Sequence, residues 1–322
     1  MNILVTGGAG FIGSHLIDKL LSLGHTVFSI DNFDSFYPRI VKENNQKKHF
    51  ESKNFSFLEC DITNEEVLLN FTKGKNIELI VHLAAKAGVR PSIENPAAYH
   101  HTNATGTLHL LNIAKTLKVK RFILASSSSV YGENLNVPWK ESDTNLQPIS
   151  PYAASKISAE NMARVYSKLF YLDTVVFRFF TVYGPRQRPD LAIHKFFNLA
   201  YNNEEIPFFG DGSTRRDYTF IDDIVKGIIG AINLSSTDSK YNVYNLGNSN
   251  TVTLNELIET IKKITQKNIV LKKLPEQAGD VQQTFADVSK AGRELGFSPS
   301  TKITEGLALF NTWFKQHNRI PS

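Results

Sequence analysis

Cysteine is nearly absent. Cys60 is the single one among 322 residues, which excludes an intrachain disulfide and a cysteine-built metal site. It closes an apolar stretch, Phe55 to Cys60, and reads as a small core residue rather than a nucleophile. Long apolar runs are missing too, so no segment is expected to span a bilayer. The N-terminus enters a strand directly, without a basic region and a signal-type apolar run, and a cytoplasmic location is expected. Dense basic runs are also lacking. Lys and Arg exceed Asp and Glu by 36 − 31 = 5, but they gather only in short stretches such as Lys47-Lys48 and Lys262-Lys263. That excess suits arginines serving an anionic substrate better than nucleic acid. The histidines His100, His101 and His109 have no matching acidic cluster, and no metal is expected.

What is present is alternation. Asn2–Thr6, Thr26–Ile30, Phe55–Glu59, Leu79–His82 and Arg121–Ala125 read as strands. Amphipathic helical segments lie between them at Phe11–Leu23, Asn64–Thr72 and Pro96–Leu117, and Tyr152–Leu169 leads into a strand over Thr174–Phe179. This rhythm gives an α/β fold, a parallel sheet with right-handed crossovers and helices on both faces. After about residue 180 the rhythm breaks. Pro185, Pro189, Pro207, Gly210 and Gly212 punctuate shorter elements, with helices at Asp222–Ile232 and Leu254–Ile264. Residues 1–180 are therefore expected to form one lobe and 181–322 a smaller α/β lobe. The boundary is soft, because the chain can pass between lobes more than once.

The first strand runs into Thr6-Gly7-Gly8-Ala9-Gly10-Phe11-Ile12-Gly13, with glycines at the G-x-x-G-x-x-G positions Gly7, Gly10 and Gly13. Such glycines allow a tight turn, close approach of the backbone to a pyrophosphate and close helix–strand packing. The anion then rests on the N–H groups at the start of the helix. Asp31 ends the second strand, where a carboxylate accepts ribose hydroxyls and repels a 2′-phosphate, so NAD is expected rather than NADP. Asp61 follows the third strand, near an adenine edge or simply in a turn. His82-Leu83-Ala84-Ala85 ends the fourth strand with small residues suited to a backbone lying against the cofactor. The cofactor-binding set read here is Gly7, Gly10, Phe11, Ile12, Gly13, Asp31, Asn32, Asp61, Ile62, Leu83, Ala84, Ala85 and Lys86, joined by Tyr152 and Lys156.

Tyr152 and Lys156 lie in Ser150-Pro151-Tyr152-Ala153-Ala154-Ser155-Lys156. Ser150 suits a helix cap and Pro151 the first helical turn. Four residues apart on a helix, tyrosine and lysine share one face. A phenol, with a reference pKa of roughly 10, needs a neighbouring cation to act as a base near neutral pH. Ser126-Ser127-Ser128-Ser129-Val130-Tyr131-Gly132, after the fifth strand, supplies a third hydroxyl partner. Asn103 suits either a position near the cofactor or helix packing.

These three motifs together resemble the extended short-chain dehydrogenases, the nucleotide-sugar epimerase/dehydratase family, over nearly the whole chain. The resemblance implies a Rossmann-type doubly wound NAD lobe, a smaller nucleotide-sugar lobe and, in many members, a homodimer through a helix bundle. It also implies a catalytic set of Ser127, Tyr152 and Lys156, Ser127 matching the family position 25 residues before the tyrosine. A non-catalytic NAD sensor on this fold could dispense with one of the three; all are present.

Several stretches resemble UDP-glucuronate 4-epimerases in particular: Ala84–Arg90, Ser92–Pro96, Arg178–Pro185, Arg188–Ala192 and Gly279–Thr284. In such enzymes the tyrosine takes the proton of the sugar 4-hydroxyl while C4 passes hydride to NAD, and the hydride returns to the other face. Decarboxylases and 4,6-dehydratases of the family usually carry glutamate immediately before Val-Tyr-Gly. Here that residue is Ser129, which favours simple epimerisation. The resemblance implies Ser127, Ser128 and Thr181 as hydroxyls for a carboxylate, with Arg90 or Arg186 adding charge. Arg216, with Arg186 second, is implied for the diphosphate and Asp280 for the uridine ribose. Gln277 departs from the arginine often found three residues before that aspartate. Thr284 replaces a bulky tyrosine of some UDP-glucose epimerases, so UDP-glucose and UDP-N-acetylglucosamine stay open as substrates.

Overall fold

The computed structural model describes residues 1–235, 240–275 and 281–318. The first half alternates as its apolar periodicity requires. Its elements are β1 (Asn2–Thr6), α1 (Phe11–Ser22), β2 (Thr26–Asp31), α2 (Arg39–Gln46), β3 (Phe55–Glu59), α3 (Glu65–Thr72) and β4 (Leu79–His82). Next come α4 (Val89–Glu94), α5 (Pro96–His100), a π-helical turn (His101–Thr105), α6 (Gly106–Leu117), β5 (Arg121–Ser127), α7 (Pro151–Phe170) and β6 (Asp173–Phe179). Shorter elements follow: β7 (Thr181–Tyr183), α8 (Ala192–Tyr201), β8 (Ile206–Phe209), β9 (Arg215–Phe220), α9 (Ile221–Asn233) and β10 (Tyr241–Leu246). The chain continues through β11 (Thr251–Thr253), α10 (Leu254–Thr265), β12 (Leu271–Leu274), α11 (Ser289–Leu295) and α12 (Ile303–His317).

Seven strands form one parallel sheet in the order β10-β6-β5-β4-β1-β2-β3. Strands β4, β5 and β6 are buried along their whole length, as expected where helices cover both faces. The chain runs outward from β1 through β2 to β3, then returns to place β4 on the other side of β1. That reversal opens a crevice beyond the C-terminal ends of β1 and β4, the usual place for a ligand in such sheets.

Strand β10 comes from beyond residue 180, yet it completes the large sheet by pairing with β6 from Tyr241↔Thr174 to Leu246↔Phe179. The smaller sheets are β11-β9-β7 and β12-β8. One apolar cluster runs from Ile3 and Val5 of β1 through Leu16 of α1 and Ile228 of α9 to Phe310 of α12. The two halves of the chain thus share a core. Among the described residues no helix is long and apolar enough to cross a membrane.

The helix expected over Pro96–Leu117 is divided. Asn95 caps α5 by accepting from Ala98 N, and five residues then widen into the π turn before α6. The widening sits where Asn103 is held by long-range bonds, donating to Lys86 O and Ser155 Oγ and accepting from Lys86 N. Apolar periodicity carries no trace of such bonds, and π turns of this kind often mark functional sites.

Candidate active site

The turn after β1 is built for close approach. Gly7 has φ +73°, and a Cβ there would stand 2.8 Å from Ala84 N. A Cβ on Gly13 would stand 2.2 Å from Gly7 O. Gly10 caps α1 without a side-chain hydrogen bond, so its first-turn N–H groups stay available to an anion. Asp31, buried at the end of β2, accepts from Ala9 N at 3.2 Å and Phe33 N at 2.9 Å. Burial raises its carboxyl pKa, and the two N–H donors and nearby Lys42 oppose that shift.

The other wall is fixed by a buried relay. Ala84 N donates to Thr6 Oγ1, and Thr6 Oγ1 lies 2.7 Å from His82 Nδ1. His82 Nε2 lies 3.0 Å from Thr107 Oγ1, which donates to Asn103 O at 2.6 Å. The threonine proton is committed to that carbonyl, so Nε2 carries the imidazole proton and Nδ1 accepts from Thr6. Burial lowers the His82 pKa to about 3, which keeps the ring neutral.

At the far end of the crevice Ser150 caps α7 by accepting from Ala153 N at 3.2 Å, and Pro151 opens the helix. Tyr152 and Lys156 follow on the face toward β5. Lys156 Nζ donates to Ala125 O at 2.8 Å. Burial lowers its pKa to about 8, against the opposing charge of Glu160. Ser127 ends β5, and its Oγ accepts from Ser129 N at 3.1 Å. Burial raises the Tyr152 phenol, while a hydrogen bond with Ser127 and the Arg188 charge pull it back. Tyr99 packs edge-on against Tyr152 at 6.2 Å between centroids.

These groups share one cleft of about 550 Å³, of the size small-molecule sites usually have. Gly7, Gly10, Phe11, Ile12, Gly13, Asp31, Asn32, Ile62, Leu83, Ala84, Ala85 and Lys86 line one part, and Ser127, Tyr152, Lys156 and Thr181 another. The glycine cradle, the uncapped helix start and the buried Asp31 fit a dinucleotide.

Other expected residues stand elsewhere. Asp61 is not on the cleft wall; its carboxylate accepts from Asn32 Nδ2, Thr63 N and Thr63 Oγ1, while its neighbours Cys60 and Ile62 face the cleft. Cys60 is thus a half-buried wall residue that also packs on the core. Arg186, at φ +63°, turns to α1 and pairs with Asp18 at 2.8 Å. Arg90 lies over the Phe209 ring at 5.6 Å, outside the cleft lining. Ser128 starts the turn behind Ser127, away from the lining. Arg216 Nη1 donates to Arg215 O at 2.9 Å on β9, again off the lining. Asp280 and Gln277 lie outside the described residues.

Arg188 was not singled out from sequence, yet it lines the cleft. Asp190 holds it through two bonds, at 2.9 and 2.7 Å, and its guanidinium lies 5.0 Å from the Phe36 ring centroid. The signal lay in Arg188-Pro189-Asp190, but its meaning depended on the distant loop after β2.

A parallel doubly wound sheet, a glycine cradle at its switch point and a Ser–Tyr–Lys group in the same cleft define a short-chain dehydrogenase/reductase enzyme. Residues 4–310 match the family described as GDP-mannose 4,6 dehydratase, and the chain belongs to that family of NAD-dependent nucleotide-sugar epimerases and dehydratases. It is 40% identical over 315 residues to a UDP-glucuronate 4-epimerase of Thermodesulfobacterium geofontis, covering 98% of this chain and 96% of that one. A crystal structure of the Bacillus cereus UDP-glucuronic acid 4-epimerase with UDP-glucuronic acid and NAD superposes with TM-score 0.92. It is 36% identical, over 98% of this chain and 100% of that one. The UDP-glucose 4-epimerase of Thermotoga maritima with UDP-glucose gives TM-score 0.89, also at 36% identity, over 99% and 100% of the two chains.

Proposed function

We propose that the chain catalyses NAD-dependent 4-epimerisation of a UDP-sugar, and that the sugar is UDP-glucuronate. The observation that carries this reading is the meeting of Ser127, Tyr152 and Lys156 beside Thr181 in the same cleft as the glycine cradle. Bound NAD supplies a hydride acceptor that gives the hydride back, so no external reductant is needed. Gly7, Gly10 and Gly13 give its pyrophosphate room, the start of α1 its N–H donors, and Asp31 an acceptor for ribose hydroxyls.

The chain's own residues handle the proton. Tyr152, as the phenolate, takes it from the sugar 4-hydroxyl and becomes the phenol, and returns it when the hydroxyl is regenerated. The Lys156 ammonium favours the phenolate, and Arg188 adds a second cation near it. Ser127 has a single proton to give. Its Oγ accepts from Ser129 N and donates to Ser129 Oγ, both at 3.1 Å, so that proton reaches Tyr152 or the sugar oxygen by turning away from Ser129. The Thr181 hydroxyl, on the cleft wall, suits a carboxylate at C5. A 4-keto glucuronate is a β-keto acid that loses carbon dioxide readily, and Ser129 puts no carboxylic acid on the turn after β5 to assist that loss.

UDP-glucose is the second reading, favoured by equal identity to the Thermotoga maritima enzyme. Proton NMR of the purified protein with UDP-glucuronate, without added reductant, separates the two. UDP-galacturonate appearing without UDP-pentose is the expected result. No change with UDP-glucuronate, and turnover of UDP-glucose instead, would reject the carboxylate assignment.

A further inference from the structure

Beneath Lys156 lies a buried ion pair to which the proton transfer itself gives no task. Glu160 follows Lys156 by one helical turn, so Tyr152, Lys156 and Glu160 succeed one another along one face of α7. Glu160 and Arg178 are each 4% exposed. Arg178 donates from Nε to Glu160 Oε1 at 3.1 Å and from Nη2 to Oε2 at 2.8 Å. Ser126 Oγ donates to Oε1 as well.

Each attachment of this pair leads to the site. Ser126 precedes Ser127 on β5 and stands opposite Arg178 in the β5–β6 register. Lys156 is tied to Ala125, the residue before Ser126. The Arg178 guanidinium lies 4.8 Å from the ring centroid of Tyr131, in the turn that begins with Ser128 and Ser129. Three consecutive residues of β5 thus meet, in order, Lys156, Glu160 and the phenol of Tyr152.

Replacing a buried ion pair by apolar side chains of similar volume is often neutral or stabilising. Stability alone therefore gives no reason to keep two charges here. We infer that Glu160, locked by Arg178, is a positioning residue that sets where Lys156 and Ser127 stand and which charge Lys156 feels. The titratable groups around Lys156 are Tyr152 and Glu160 on its own helix and neutral His82 on β4, with Arg178 behind Glu160 on β6. β5 presents only a carbonyl to it. Glu160 is thus the one carboxylate in that set, and it opposes the loss of the lysine proton that burial favours.

The inference rests on the roles proposed above for Ser127, Tyr152 and Lys156. Its test uses the NAD-loaded protein with UDP-glucuronate, or with UDP-glucose if that is the sugar turned over. Melting temperature, bound NAD, KM and kcat from neutral to alkaline pH are measured. The paired variant Glu160→Gln with Arg178→Met removes both charges together. It is expected to fold and hold NAD with KM little changed, while kcat falls about 10-fold or more. The alkaline limb of its profile should move down by about one pH unit. Glu160→Asp keeps the charge and shortens the reach, so kcat should fall with the limb in place; it also serves if the paired variant does not fold. Wild-type kcat with an unmoved limb in the folded variants overturns the inference. Tyr152→Phe is the control. Its inactivity beside fully active Glu160 variants would reject this inference alone, whereas an active Tyr152→Phe would reject the underlying assignment as well.

Discussion

At the residue scale the decisive group is Lys156, because its charge is least secure. It is buried, its ammonium is held to about 8, and its donor bond goes to a neutral carbonyl. The protonated form is the useful one, so activity is present below that value and is lost as pH rises through it. Since kcat/KM reports the free enzyme, kcat/KM for the UDP-sugar should decline above about pH 8. A flat profile well beyond that point would show that Lys156 is not the titrating cation. Tyr152, Lys156 and Ser127 were legible in sequence for local reasons: four-residue spacing on a helix, and a hydroxyl cluster at a strand end. Arg188 was not, because Asp190 and Phe36 bring it to the cleft. Arg186 stands off the cleft lining for a reason equally distant in sequence, its ion pair with Asp18 on α1.

At the scale of elements, the join between β1 and α1 is the most exacting. A methyl group on Gly13 would meet Gly7 O at 2.2 Å, and that neighbour is backbone, unable to swing aside. Gly13→Ala should therefore spread the turn and raise the Kd for NAD by about 10-fold or more. Titration of the NAD-free protein by calorimetry reads this directly, and unchanged affinity would remove the cradle from the cofactor site. Strand and helix positions in this half were readable, because parallel strands buried on both faces are continuous apolar runs. The division of Pro96–Leu117 was not. Asn103 acts through Lys86 and Ser155, neither near it in sequence.

For the whole molecule, β10 and the shared apolar cluster bind the two halves together. A fragment ending at residue 180 would leave the edge of β6 unpaired and strip α9 from its place against α1. Such a fragment is expected to aggregate or stay unfolded, whereas the full chain should melt in one transition. Circular dichroism of the fragment and calorimetry of the full chain check both. A stably folded, NAD-binding fragment would show that residues 1–180 are self-sufficient. The alternation that revealed the sheet gave no sign of this late strand, because Tyr241–Leu246 is separated from β6 by the whole run of shorter elements.

The position of β10 also carries a consequence for how the protein is made. A chain leaving the ribosome delivers its N-terminal part first, so Tyr152 and Lys156 emerge well before the strand that closes their sheet. Until residue 246 is out, the β6 edge has no neighbour. A nascent chain paused before that point presents an open strand and no finished enzyme. Synthesis between β6 and β10 is thus the interval in which the unfinished sheet is most open to wrong strand pairing.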